Sequence, residues 1–129
     1  MQLFQKKEML VQFTVGNFLS FNQKKTLNLE AKSISELKTN IAHLMGEKIL
    51  RSSVIYGANS SGKSNLIKAL GKMKEVVLTS VRLNDSDELD FRPFLLSTET
   101  EKQPTLFEIV FWQGSIKYRY GFEYTLNQI

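Results

Sequence analysis

The sequence predicts a mixed domain, α/β to α+β, with antiparallel β-hairpins beside a strand–loop–helix core. Three observations predict it. Apolar residues alternate at the start of the chain, over 9–16 and 26–31. They alternate again at its end, over 105–111 and 116–124. Between these, a short run, Val54-Ile55-Tyr56, stops at a glycine-rich loop that leads into one long amphipathic pattern. The 129 residues allow one core rather than two.

Taken in order, residues 1–8 are polar and pattern-poor. They read as an extension or tag, with Met9 the natural start and 9–129 the domain. In Met9–Gly16, Val11, Phe13 and Val15 share one side and Leu10, Gln12 and Thr14 the other, as in a strand with one apolar face. Asn17–Asn22 is a turn carrying Phe18 and Phe21, and Thr26–Ala31 alternates again, completing a hairpin or meander. Over 32–50, Ile34, Leu37, Ile41, Leu44 and Met45 recur at near-helical spacing around Thr39-Asn40, which predicts a loop with a short helix. Ser53–Tyr56 reads as a short apolar strand that stops at Gly57. Gly62–Leu83 reads as a helix with a stripe of Leu66, Leu70, Met73, Val77 and Val81, flanked by Ile67 and Val76; Lys68, Lys72 and Lys74 fall toward solvent. Asn84–Asp90 is an acidic, turn-rich loop. Gln113-Gly114-Ser115 joins two closing strands, the second bearing Tyr118, Tyr120, Phe122 and Tyr124 on one side.

Composition narrows the function. There is no cysteine, which excludes a disulfide scaffold, thiol catalysis and cysteine–metal sites. The net charge of +4 is mixed along the chain; it permits a nucleotide or nucleic-acid partner without requiring one. The longest apolar run, Ile109-Val110-Phe111-Trp112, is too short to cross a bilayer, so no membrane partner is expected and a cytoplasmic location is. His43 stands alone and reads as structural. The acidic run Asp85–Asp90 lacks calcium-loop spacing and reads as solvated. The Tyr118–Tyr124 stripe reads as packing of a half-buried hairpin rather than as a base-stacking platform.

The chemistry lies in Gly57-Ala58-Asn59-Ser60-Ser61-Gly62-Lys63-Ser64, which matches G-x-x-x-x-G-K-[ST]. Gly57 lets the strand turn sharply, and Gly62, without a Cβ, lets backbone approach a phosphate. Amides from Asn59 to Ser64 are expected to point inward as an anion nest, reinforced by the positive end of the following helix. Lys63 is the candidate catalytic group, a compact cation on the β- and γ-phosphates; the Ser64 hydroxyl is the candidate Mg²⁺ ligand. Strand before and helix after are the context this loop requires. ATP and Mg²⁺ are the cofactors expected.

Together, Asn17-Phe18-Leu19-Ser20-Phe21 and Val54-Ile55-Tyr56-Gly57-Ala58-Asn59-Ser60-Ser61-Gly62-Lys63-Ser64-Asn65-Leu66 resemble the N-terminal lobe of ABC-type ATPases of the SMC/RecF/OLD-like class. Arg92-Pro93-Phe94 and Pro104–Ile109 resemble a bacterial AAA-type group linked to abortive infection and anti-phage defence. The resemblance covers roughly 9–125. It implies a partial P-loop NTPase (ABC ATPase-like) lobe with a Walker A loop, dimerising around ATP against a second head, with DNA or an effector protein as further partner. It also implies that Asn65 reaches the α-phosphate. Ser60 stands where family loops often carry Gly or Ala, and Leu19 where repair members carry a nucleotide-contacting Arg; Gln128 maps on the lid-sensing loop. The class hydrolyses ATP with an apolar strand ending in an acidic pair, a signature motif and a downstream His. No apolar run here ends in such a pair. The chain therefore reads as the front of a larger ATPase, binding nucleotide with little turnover until the remainder completes it. The reading from another class is a non-catalytic nucleic-acid- or protein-interaction module with a vestigial loop.

Overall fold

The computed structural model describes residues 8–32, 38–59, 61–84 and 87–129. Strands β1 (Glu8–Gly16), β2 (Lys25–Asn28), β5 (Thr105–Gln113) and β6 (Ile116–Tyr124) form one sheet in the order β2-β1-β5-β6, every neighbouring pair antiparallel. β3 (Ile41–Leu44) and β4 (Glu47–Leu50) form a separate hairpin, and the one α-helix among the described residues, α1 (Lys63–Thr79), lies between them and β5 in sequence.

The sheet is covered on both faces. On one, Ala69, Met73 and Val76 of α1 pack with Phe13, Val15, Phe18, Phe107, Leu89 and Tyr124. Phe107 is the hub of this layer. Its ring is 5.4 Å from Phe18, 5.9 Å from Tyr124 and 6.3 Å from Phe13, the offset and edge-on distances that aromatic pairs prefer. On the other face Val11, Val110 and Trp112 meet Leu44 and Ile49 of the β3–β4 hairpin. Glu47 pins that hairpin down, accepting from Trp112 Nε1 at 3.1 Å and Lys117 Nζ at 2.6 Å.

One residue makes the two layers possible. The β1–β5 register slips between Leu10 and Gln12, a β-bulge. Simple alternation puts Val11 with Phe13 and Val15. The bulge instead sends Val11 to the hairpin side, while Leu10 joins Phe13 and Val15 under α1. The expected single apolar face of β1 is therefore split.

Four other expectations change. Residues 38–50 hold a short 3-10 turn (Lys38–Asn40) and the β3–β4 hairpin rather than a loop with a helix; the Ile34 and Leu37 part of that reading lies outside the described residues. Met45 and Gly46, with φ of 48° and 83°, make the tight turn that joins two strands. Helix α1 ends at Thr79 and tightens into a 3-10 turn (Ser80–Arg82). Val81, in that turn, is 91% exposed; on α1 itself the buried line is Ala69, Met73, Val76, which turns Ile67 and Val77 outward. Lys72 is not solvated. Its ammonium bonds Asp90 at 2.7 Å and Glu75 at 2.9 Å. Finally, Ser53–Tyr56 carries no sheet pairing. Val54 and Tyr56 are 71% and 88% exposed, because no described strand lies beside them to complete a ladder. Of the strand–loop–helix core, the loop and helix are present as expected.

The closing strands follow their pattern. Phe107, Ile109 and Phe111 face Phe122, Tyr120 and Tyr118 across the ladder, with Phe111 and Tyr118 stacked 5.5 Å apart. Burial along β6 is graded: Tyr124 is enclosed, whereas Tyr118 and Tyr120 are nearly half exposed. Among the described residues, no helix is long and apolar enough to cross a membrane.

Candidate functional site

The loop that matches the phosphate-binding pattern sits at the head of α1. Gly62 takes φ 91° and serves as N-cap without any side-chain cap of its own. A helix begins with amides that have no carbonyl behind them. Asn65 N–H finds Gly62 O at 3.0 Å, which leaves the amides of Lys63 and Ser64 at the open end. With the dipole of a 17-residue helix behind them, these groups favour an anion. A cleft of about 240 Å³ opens there, lined by Ala58, Asn59, Ser61, Gly62, Lys63, Ser64 and Asn65. That volume is below the range of sites that enclose a whole drug-sized molecule; it suits a charged tail.

Among the described residues, each residue chosen from the loop has a place. Lys63 reaches back across the loop and donates to the carbonyls of Gly57 and, at 2.8 Å, Ala58. An ammonium has three donors; two are engaged by these carbonyls, which ties both ends of the loop together. Ser64 is exposed on the first turn of α1, its hydroxyl free of protein partners among the described residues. Asn59 and Ala58 are exposed at the rim. Ser60 lies outside the described residues. The nest is narrower than expected, because Ser61 N–H turns inward to Ala58 O at 3.1 Å instead of facing the cleft.

The glycines act for reasons partly different from those read in the sequence. Gly57 does not use a left-handed conformation. A Cβ there would stand 2.5 Å from Ser61 Oγ, so a side chain would force that hydroxyl to turn away. Gly62 needs its conformation, and a Cβ would meet Ser20 Oγ at 2.7 Å and displace that hydroxyl.

Ser20 was not among the sequence candidates. It belongs to the Asn17–Phe21 turn, 45 residues upstream of Asn65, and its hydroxyl accepts from Asn65 Nδ2 at 2.8 Å. Asn65 therefore faces Ser20 with its amide nitrogen, whereas the resemblance had aimed it at the α-phosphate. The turn is held firmly. Asn17 is buried, and its Nδ2 donates to Thr100 O and Gln103 O, each at 2.8 Å; its Oδ1 accepts from Phe94 N–H at 2.9 Å. Thr105 Oγ1 donates to Asn17 O at 2.7 Å, and Leu19 N–H to Arg92 O at 3.1 Å. The recurrence of Asn-Phe-x-Ser-Phe beside a phosphate loop was the available signal for Ser20.

The remaining candidates lie away from the loop in sequence. His43 is exposed on β3 opposite Lys48. No group of three or more His, Cys, Asp or Glu gathers as a metal site among the described residues. From the acidic run, Asp90 bonds Lys72 and Arg92, which hold its carboxyl below the usual carboxylate range, Arg92 first.

Compared with known proteins, residues 52–129 match the family model described as "AAA domain, putative AbiEii toxin, Type IV TA system". The match covers more than half of the chain, from the segment before the loop through β6, and leaves out β1 and the Asn17–Phe21 turn. No curated protein and no solved structure matches.

Proposed function

The chain belongs to this AAA-domain family, and from that premise we propose that it binds ATP, with Mg²⁺, through the Gly57–Ser64 loop, as the N-terminal segment of an ABC-type, SMC/OLD-like ATPase acting in phage defence or DNA maintenance. The observation that carries the binding claim is the head of α1. An N-terminus without a side-chain cap, the amides of Lys63 and Ser64, for which the described residues show no acceptor, and the Lys63 side chain, held at the loop carbonyls, border one cleft. Those groups fit a polyphosphate. Lys63 and the amides would hold the phosphate oxygens, and the exposed Ser64 hydroxyl would be the Mg²⁺ ligand; the ion would supply neutralisation of phosphate charge. The groups gathered here supply contacts rather than a base for water, so the reaction proposed for them is binding. Dimerisation against a second head, and a DNA or effector partner, are part of the same proposal and rest on the family and the sequence resemblance.

Thermal unfolding tests it. Mg·ATP at about 100 times its Kd stabilises a protein that binds only in the folded state by about 2.7 kcal/mol. The wild-type chain is expected to melt several degrees higher with Mg·ATP, and Lys63→Ala is expected to remove the shift. A folded wild-type chain whose melting point ignores millimolar Mg·ATP refutes the reading and favours the interaction module with an inert loop.

A further inference from the structure

The phosphate loop has an external mount. Gly62 caps α1 with no side-chain cap bond, and the loop's own ties are Lys63 to Gly57 O and Ala58 O and the Asn65 amide to Gly62 O. Among the described residues, Ser20 touches the first turn from outside the loop. Its hydroxyl accepts from Asn65 and stands 2.7 Å from where a Gly62 Cβ would be. Ser20 is presented by a two-residue turn closed by reciprocal bonds, Phe18 N–H to Phe21 O at 3.0 Å and Phe21 N–H to Phe18 O at 2.8 Å, with Leu19 held at φ 49°. That conformation is unfavourable for a branched residue and persists only where surroundings impose it. Here they do: Arg92 O takes the Leu19 amide, Phe18 is buried against Phe107, and Asn17 is fully bonded within 94–104.

We propose that Ser20 is a positioning residue for the phosphate loop, acting through Asn65, and that the Asn17–Phe21 turn transmits the placement of the 92–105 segment to the nucleotide site. The proposal rests on the binding reading above. The Ser20–Asn65 bond is exposed, so it contributes little to global stability. Its effect falls on how well the loop amides are preorganised for an anion, which is where fixed dipoles gain or lose affinity.

The test is a double-mutant cycle on the full chain, reading the Kd of Mg·ATP by calorimetry together with the melting point without ligand. One hydrogen bond corresponds to about a fivefold change in affinity. Ser20→Ala is expected to weaken Mg·ATP about fivefold while leaving the ligand-free melting point unchanged. In an Asn65→Ala background the same substitution is expected to cost less than about twofold, because the bond is already gone. A wild type that fails to bind, or a Lys63→Ala variant that binds normally, refutes the nucleotide reading itself. If wild type binds and Lys63→Ala does not, three outcomes overturn the positioning role alone: an unchanged Kd in Ser20→Ala, an equal cost in both backgrounds, or a loss of affinity matched by a lowered ligand-free melting point.

Discussion

Tyr124 is the last residue of β6 and is enclosed, its ring stacked with Phe107 and edge-on to Phe91 at 5.9 Å. Burial, and then the nearby Asp90 carboxylate, push its phenol up to about 12. The folded state thus holds this proton more tightly than the unfolded chain, whose phenol titrates near 10. The stabilisation is complete below pH 10 and is lost as pH rises through 12, by roughly 2–3 kcal/mol. Denaturant titrations across pH 9–12 are expected to show that fall, with a shallower one in Tyr124→Phe. At this scale the site was legible in part. Gly57, Gly62, Lys63 and Ser64 announce themselves because the spacing itself encodes the loop. The Lys63 bonds to Gly57 and Ala58, the inward Ser61 amide and the Ser20 contact do not. Each depends on how the backbone closes, or on a residue 45 positions away.

Helix α1 buries Ala69, Met73 and Val76 and leaves its opposite side in water. Gly71 lies on that side, at ordinary helical geometry, with nothing within 4 Å of the position a Cβ would take. An alanine fills no space that is needed and removes backbone freedom from the unfolded chain. Gly71→Ala is expected to raise stability by about 0.5–1 kcal/mol, read as a higher denaturant midpoint at unchanged slope. The existence of α1, β5 and β6 was legible because each has a long, clean period. The β3–β4 hairpin was not. Its strands are four residues each, and Ile41 and Leu44 fit helical spacing as well as strand alternation. The Met45-Gly46 turn and the buried trio Ala42, Leu44, Ile49 were the evidence for a hairpin.

For the whole molecule, the antiparallel sheet and α1 share a core, whereas Ser53–Tyr56 runs into the loop with no pairing strand among the described residues. Apolar side chains and unpaired backbone on one exposed stretch invite pairing between copies. Light scattering is expected to show concentration-dependent association of the chain, reduced by Ile55→Lys with no loss of melting temperature. The run was legible as strand-forming composition; its isolation was not, because pairing is a property of neighbours and not of the segment.

The extra residue in β1 has a wider consequence. Since Val11 shifts the parity of its strand, the hairpin side and the helix side of the sheet are filled by residues whose assignments reverse at that point. Swapping this ribbon for a straight one of equal length would turn its first residues inside out, even with every amino acid kept. A grafted or redesigned version of the fold must therefore carry its irregularity with it.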